Sequence, residues 1–226
     1  MTAPLILHFA PDNASLCVRL ALTQLEEPFQ TRLVDRGANA QKSAAYLALN
    51  PNGLIPTLET PDGSIFETAA ILLWLADRHE GVAFPSATSP ERGPALSQLF
   101  WLSNTLHPTL RMLFYPQLYD GNAAFPAATR DTLKGHFAQL NRMDLAWLDR
   151  DGPSILACYV GPMIRWCGLY GGDAAWFDLA AYPNLSDFAA RFEKTPAMQA
   201  AVLAEGLGRT PLTSPSPPNP PEGSAL

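Results

Sequence analysis

Three stretches of the chain combine polar side chains with backbone that their neighbours leave open. Ile55-Pro56 lies in Leu54 to Leu58, a short apolar run that reads as a strand. Proline has no N–H to offer a neighbouring strand, and an X-Pro bond prefers trans over cis by only about 0.5–1 kcal/mol. Such a pair, cis and entering an edge strand, can present the Ile55 backbone to an extended peptide; the plainer alternative is a tight turn. Glu67 and Thr68 open the next helix. A carboxylate and a hydroxyl there cap free N–H groups, while the helix N-terminus itself attracts an anion. Asp12-Asn13-Ala14-Ser15 leads into the first helix. A helix N-terminus with a hydroxyl donor can lower a thiol pKa from its ordinary value of about 8.5, at about 1.4 kcal/mol per unit. Ser15 is the candidate donor and Asn13 the second; the alternative is a simple N-cap by Asp12 or Asn13.

Further along, His107 precedes Pro108, and Arg111, Phe114 and Tyr115 follow at helical spacing. They form either a pocket wall or the packed face of an aromatic helix. Lys42 is the only lysine before residue 80.

These residues need elements to hold them. Leu5 to Phe9 reads as a buried strand ended by Pro-Asp-Asn, Ser15 to Gln24 as a helix, Phe29 to Val34 as a strand and Ala40 to Leu49 as a helix. Leu54 to Leu58 and Ser64 to Phe66 form a hairpin across Pro61-Asp62-Gly63, where glycine supplies positive φ. Thr68 to His79 is a helix stopped by Gly81. The order β-α-β-α-β-β-α over residues 1–80 predicts a mixed sheet covered by helices.

Gly81 to Gly93 reads as a linker, and residues 94–210 are wholly helical. Pro94 to Tyr119 is one helix or two, bent at Pro108; Ala127 to Leu148 follows. Ser154 to Leu169 is apolar nearly all round despite Pro162 and Arg165, which marks a central buried helix. Asn184 to Phe192 and Pro196 to Leu207 are shorter helices. In residues 211–226, six prolines and the single charge of Glu222 predict an extended or disordered tail.

Fifteen basic against twenty-one acidic residues, a net charge of −6, argue against nucleic acid or an anionic membrane as partner. The apolar run Ala69 to Ala76 is far short of the roughly 18 residues that span a bilayer. Cys17, Cys158 and Cys167 are odd in number and widely spaced, fitting neither a disulfide framework nor a zinc site, and the reducing cytosol is the expected compartment.

The run Asn50-Pro-Asn-Gly-Leu-Ile-Pro-Thr-Leu-Glu, with Asp62-Gly-Ser-Ile-Phe-Glu67-Thr68 and the helix after it, resembles the glutathione S-transferase family. Phe100-Trp-Leu-Ser-Asn-Thr-Leu-His107 and Tyr182-Pro-Asn-Leu with Arg191, Pro196, Gln199 and Glu205-Gly206 extend the likeness over residues 3–207. It implies a thioredoxin-like α/β domain followed by an all-α domain. It also implies glutathione as co-substrate without a metal, a small electrophile as second substrate, and a homodimer. Glutathione would pair its cysteinyl part with Ile55 beside a cis Pro56. Thr68 and the helix N–H groups would receive its γ-glutamyl carboxylate and Glu67 its ammonium. Lys42 would meet its glycyl carboxylate, and His107 would face the cleft. Phe9, Arg111, Phe114 and Tyr115 would border the electrophile.

The nearest pattern is the bacterial beta class, which has Cys-Ser where this chain has Ala14-Ser15 and tyrosine where it has Phe9. Without a thiol at positions 12–15, thiolate stabilisation replaces a mixed-disulfide mechanism. A non-catalytic glutathione-binding or protein-interaction module on the same fold is the alternative. The family's Ser-x-x-Asp box before the buried helix is reduced to Ser154 with Ala157, a loss of about 0.5–2 kcal/mol if uncompensated.

Overall fold

The computed structural model describes residues 4–119, 122–143, 147–148, 150, 152–172 and 174–224. Strands β1 (Leu5–Phe9), β2 (Phe29–Leu33), β3 (Thr57–Thr60) and β4 (Gly63–Phe66) form one mixed sheet in the order β2-β1-β3-β4. β1 and β2 run parallel with Leu5 opposite Phe29, and helix α1 (Ser15–Gln24) makes the crossover between them. β3 and β4 form the expected hairpin, with Gly63 at φ +125. The thioredoxin-like sheet is completed by α2 (Ala44–Leu49), behind a short 3-10 turn, and α3 (Thr68–Arg78). The expected helix over Ala40 to Leu49 is thus divided at Ser43, whose hydroxyl caps α2.

The helical part contains α4 (Arg92–Trp101), α5 (His107–Phe114), α6 (Phe125–Arg142), α7 (Ile155–Leu169), α8 (Pro183–Phe192) and α9 (Pro196–Glu205). The expected bend at Pro108 is taken up just before it. Leu102–Leu106 are wound as a π-helix, joining α4 to α5 without a break. A widened turn is a usual way for a helix to absorb a missing donor. The expected stretch to Leu148 ends at Arg142 as α6; residues 144–146 within it lie outside the described residues. Among the described residues no helix is long and apolar enough to cross a membrane.

α7 is buried from Ile155 to Cys167, and α1 packs on α3, α7 and α9, so one apolar core runs through both parts. The stretch from Gly81 is docked too: Phe84 is buried under the Arg92 guanidinium, and Ala83 O accepts from Ile155 N. Ser154 caps α7 at Ala157 N. The missing acid is replaced by Gln24, which accepts from Ser154 N at 3.1 Å, while the Ser154 hydroxyl donates to Trp147 O.

The tail departs from the expectation of disorder. It is extended but fastened. Glu193 accepts from Leu212 N and Thr213 N, Leu212 is buried, and Asn219 N donates to Gly206 O. Arg165 holds it as well, donating to the tail carbonyls of Pro211 and Ser216 and to that of Leu207 just before the tail. Residues 225–226 lie outside the described part.

Candidate active site

A cleft of about 920 Å³ opens between the sheet domain and the helices. Its sheet-domain wall includes Asn13, Ile55, Pro56, Glu67 and Thr68; its helical wall includes His107, Arg111, Phe114 and Tyr115.

The Ile55-Pro56 bond is cis. β3 is an inner strand, not the edge strand expected. Its ladder with β1 and β4 begins only at Thr57, so the main-chain N–H and C=O of Ile55 have no partner among the described residues. The preceding carbonyl is fixed, since Leu54 O accepts from Tyr46 OH at 2.7 Å and Asn50 Nδ2 at 2.8 Å. Backbone held rigid with its polar groups unused, in an open cleft, is suited to pair with an extended ligand.

The entry to α3 is open in the same way. Glu67 sits at φ +72, ψ 118, and no side chain caps the helix. Neither the Glu67 carboxylate nor the Thr68 hydroxyl has a hydrogen-bond partner among the described residues, so the simple capping alternative is not what the chain does. A non-glycine residue at such a φ costs of order 1–3 kcal/mol, and strain of this kind gathers at ligand clamps.

The entry to α1 corrects the expectation for Ser15. Ser15 is fully buried; its hydroxyl donates to Ala10 O at 3.0 Å and accepts from Ala10 N at 3.3 Å, away from the cleft lining. Asn13 does border the cleft. Its Oδ1 accepts from Ala14 N at 2.8 Å, which leaves its NH₂ group without a partner among the described residues. Asp12 is a buried anchor: its carboxylate accepts from Arg165 Nε at 2.9 Å, Trp166 Nε1 at 3.1 Å and Tyr170 OH at 2.9 Å. Its N–H donates to Glu205, which also receives Arg19. Burial pushes the Glu205 carboxyl up and Arg19 pulls it back.

Two further expectations are corrected. Phe9 is buried beneath the Arg19 guanidinium and does not border the cleft. Lys42 is exposed outside the cleft lining, its ammonium 3.4 Å from Asn52 O.

His107 Nδ1 and Tyr159 OH are 3.0 Å apart. Burial, reinforced by Arg111, lowers the His107 pKa to about 4, so the ring is a neutral hydrogen-bonding group at the cleft wall. Burial, then the Asp12 carboxylate, pushes the Tyr170 phenol up and keeps it protonated. All three cysteines are buried with raised pKa values, burial being the main cause, and none borders the cleft.

Residues the sequence reading missed are Arg36, Tyr159, Trp166 and Tyr170. The last three recur at helical spacing along α7 and its end, a stripe hidden by the uniformly apolar context.

Residues 14–78 match the family model described as glutathione S-transferase, N-terminal domain. A sphingomonad glutathione S-transferase solved in complex with glutathione is 32% identical, with a TM-score of 0.75, over 90% of this chain and 100% of that one. The chain belongs to the glutathione S-transferase family. Among curated relatives, glutathione S-transferase GST-4.5 of Xanthomonas campestris is 28% identical over 89% of this chain and 98% of that protein. Disulfide-bond oxidoreductase YfcG of Escherichia coli K12 is 29% identical over 89% of this chain and 96% of that protein.

Proposed function

We propose that this glutathione S-transferase family member binds glutathione along Ile55 and transfers its thiolate to a small electrophile. One observation carries the reading: the unused main chain of Ile55 and the uncapped entry to α3 at Glu67 and Thr68 line one cleft. The α3 N-terminus and Thr68 would take the γ-glutamyl carboxylate, and Glu67 its ammonium. The Asn13 NH₂ group stands nearest the role expected of Ser15, donating to the bound sulfur and favouring its thiolate. His107, neutral, would border the sulfur without adding charge.

Calorimetry with glutathione, then conjugation of chlorodinitrobenzene, tests this. Saturable binding with turnover supports it, binding without turnover supports a binding module, and no binding rejects the site.

A second reading is thiol–disulfide exchange, favoured by the name of the Escherichia coli relative. With no cysteine on the cleft lining, the attacking sulfur would be that of glutathione: it forms a new S–S bond with one disulfide sulfur while the other leaves as thiolate. Reduction of hydroxyethyl disulfide without chlorodinitrobenzene turnover would favour it.

A further inference from the structure

If glutathione lies as proposed above, the cleft holds one cation more than glutathione uses. Its ammonium meets Glu67, and its two carboxylates need two positive centres. The uncapped N-terminus of α3 is the first. Arg36, which borders the cleft and donates to Tyr115 OH there, would be the second.

Arg111 remains. It borders the cleft from α5, one turn beyond His107, and its guanidinium forms no hydrogen bond or ion pair with any described residue. Its guanidinium lies 5.3 Å from the Tyr115 ring centre, and the Tyr115 hydroxyl accepts from Arg36 Nη2 at 3.0 Å, so both arginines flank one ring. The acidic residues on the cleft are committed elsewhere. Asp12 is bound by Arg165, Trp166 and Tyr170, and Glu67 stands at the α3 entry. Around Arg111 the wall is aromatic: Phe114 meets the Tyr170 ring edge-on at 5.8 Å. A guanidinium in such a place suits a planar carboxylate, which it binds through two parallel N–H donors, next to a flat apolar body.

We propose that Arg111 determines the specificity of the second substrate by holding a carboxylate carried on an aromatic electrophile. In the substitution this implies, the thiolate sulfur forms a bond to a ring carbon. The carbon–halogen bond there breaks, the halide leaves with its electron pair, and the thiol proton passes to solvent.

The test compares 4-chloro-3-nitrobenzoate with 4-chloro-3-nitrobenzamide on the full chain, as the ratio of their kcat/KM values. Taking that ratio in the wild type and each variant cancels the different intrinsic reactivity of the two rings. Arg111→Gln should lower the benzoate-to-amide ratio about 10- to 100-fold, and Arg111→Lys by less, because charge survives while the fork is lost. Glutathione affinity, measured by calorimetry on each variant, should move less than about twofold, well under one charge-assisted hydrogen bond. An unchanged ratio in Arg111→Gln overturns the proposal. So does an equal loss of glutathione affinity, which would give Arg111 to the glycyl carboxylate. Should the wild type conjugate neither compound, or bind no glutathione, the functional reading fails separately. Calorimetry with unreactive 3-nitrobenzoate and 3-nitrobenzamide then decides this one: a benzoate preference lost in Arg111→Gln supports it, and no preference overturns it.

Discussion

Two helix entries face the same cleft, each behind a strand and each led by a non-glycine residue at positive φ, Asp12 at +49 and Glu67 at +72. At the α1 entry nearly every polar group is consumed by the protein: Asp12 by Arg165, Trp166 and Tyr170, Ser15 by Ala10, and Asn13 Oδ1 by Ala14. At the α3 entry no side chain caps the leading N–H groups, and the Glu67 carboxylate and Thr68 hydroxyl have no hydrogen-bond partner among the described residues. The first entry is closed by the fold's own bonds, whereas the second keeps an exposed carboxylate and a buried hydroxyl free for the ligand proposed above. One group crosses over, since the NH₂ of Asn13 is the open donor on the closed side.

The comparison is broken most severely at Arg165. It is fully buried, and Arg165→Leu would strand the Asp12 carboxylate and free the tail. A loss of about 3–5 kcal/mol is expected, read by thermal or denaturant unfolding. A drop below 1 kcal/mol would mean the α1 entry is not closed by this pair.

His107 gives the next effect. Its folded pKa of about 4 lies below the unfolded value of about 6.5, so the neutral ring stabilises the fold fully above pH 6.5. That stability, at most roughly 3 kcal/mol, should drain away as pH falls from 6.5 towards 4. His107→Gln should flatten that part of the stability–pH curve.

At the open entry, Glu67→Ala should weaken glutathione binding about 10- to 100-fold while unfolding changes little, because no internal bond is lost. An equal loss of stability would show that Glu67 belongs to the scaffold. The smallest contrast compares neighbours. Asn13→Ala should lower conjugation turnover about tenfold and raise the pKa of the bound thiol; Ser15→Ala should cost about 1 kcal/mol of stability with turnover nearly intact. The reverse pattern would restore Ser15 to the thiol.

The open entry was legible in the sequence because its signals are local. Ile55-Pro56 and Glu67-Thr68 carry their meaning within a few residues, and the α/β-then-helical order follows from short-range periodicity. The closed entry was not, because Asp12 finds its partners some 150 residues away on α7. Ser15 is ambiguous for a different, local reason: a hydroxyl at a helix start looks the same in sequence whether it faces a cleft or, as here, its own strand end at Ala10. Arg165 was the missed clue. A charge in a helix apolar on every side demands buried acceptors, and two carbonyls of the proline-rich tail, with that of Leu207 just before it, are three of them. Low charge and many prolines forbid the tail a core of its own, but they do not prevent it from lying on another.

A crystal structure of the chain with glutathione tests the central claim most directly. The account predicts main-chain pairing to Ile55, the γ-glutamyl carboxylate on Thr68 and the α3 N–H groups, and sulfur within hydrogen-bond reach of Asn13 but not of Ser15. Glutathione bound elsewhere, or with its γ-glutamyl end away from α3, would contradict it.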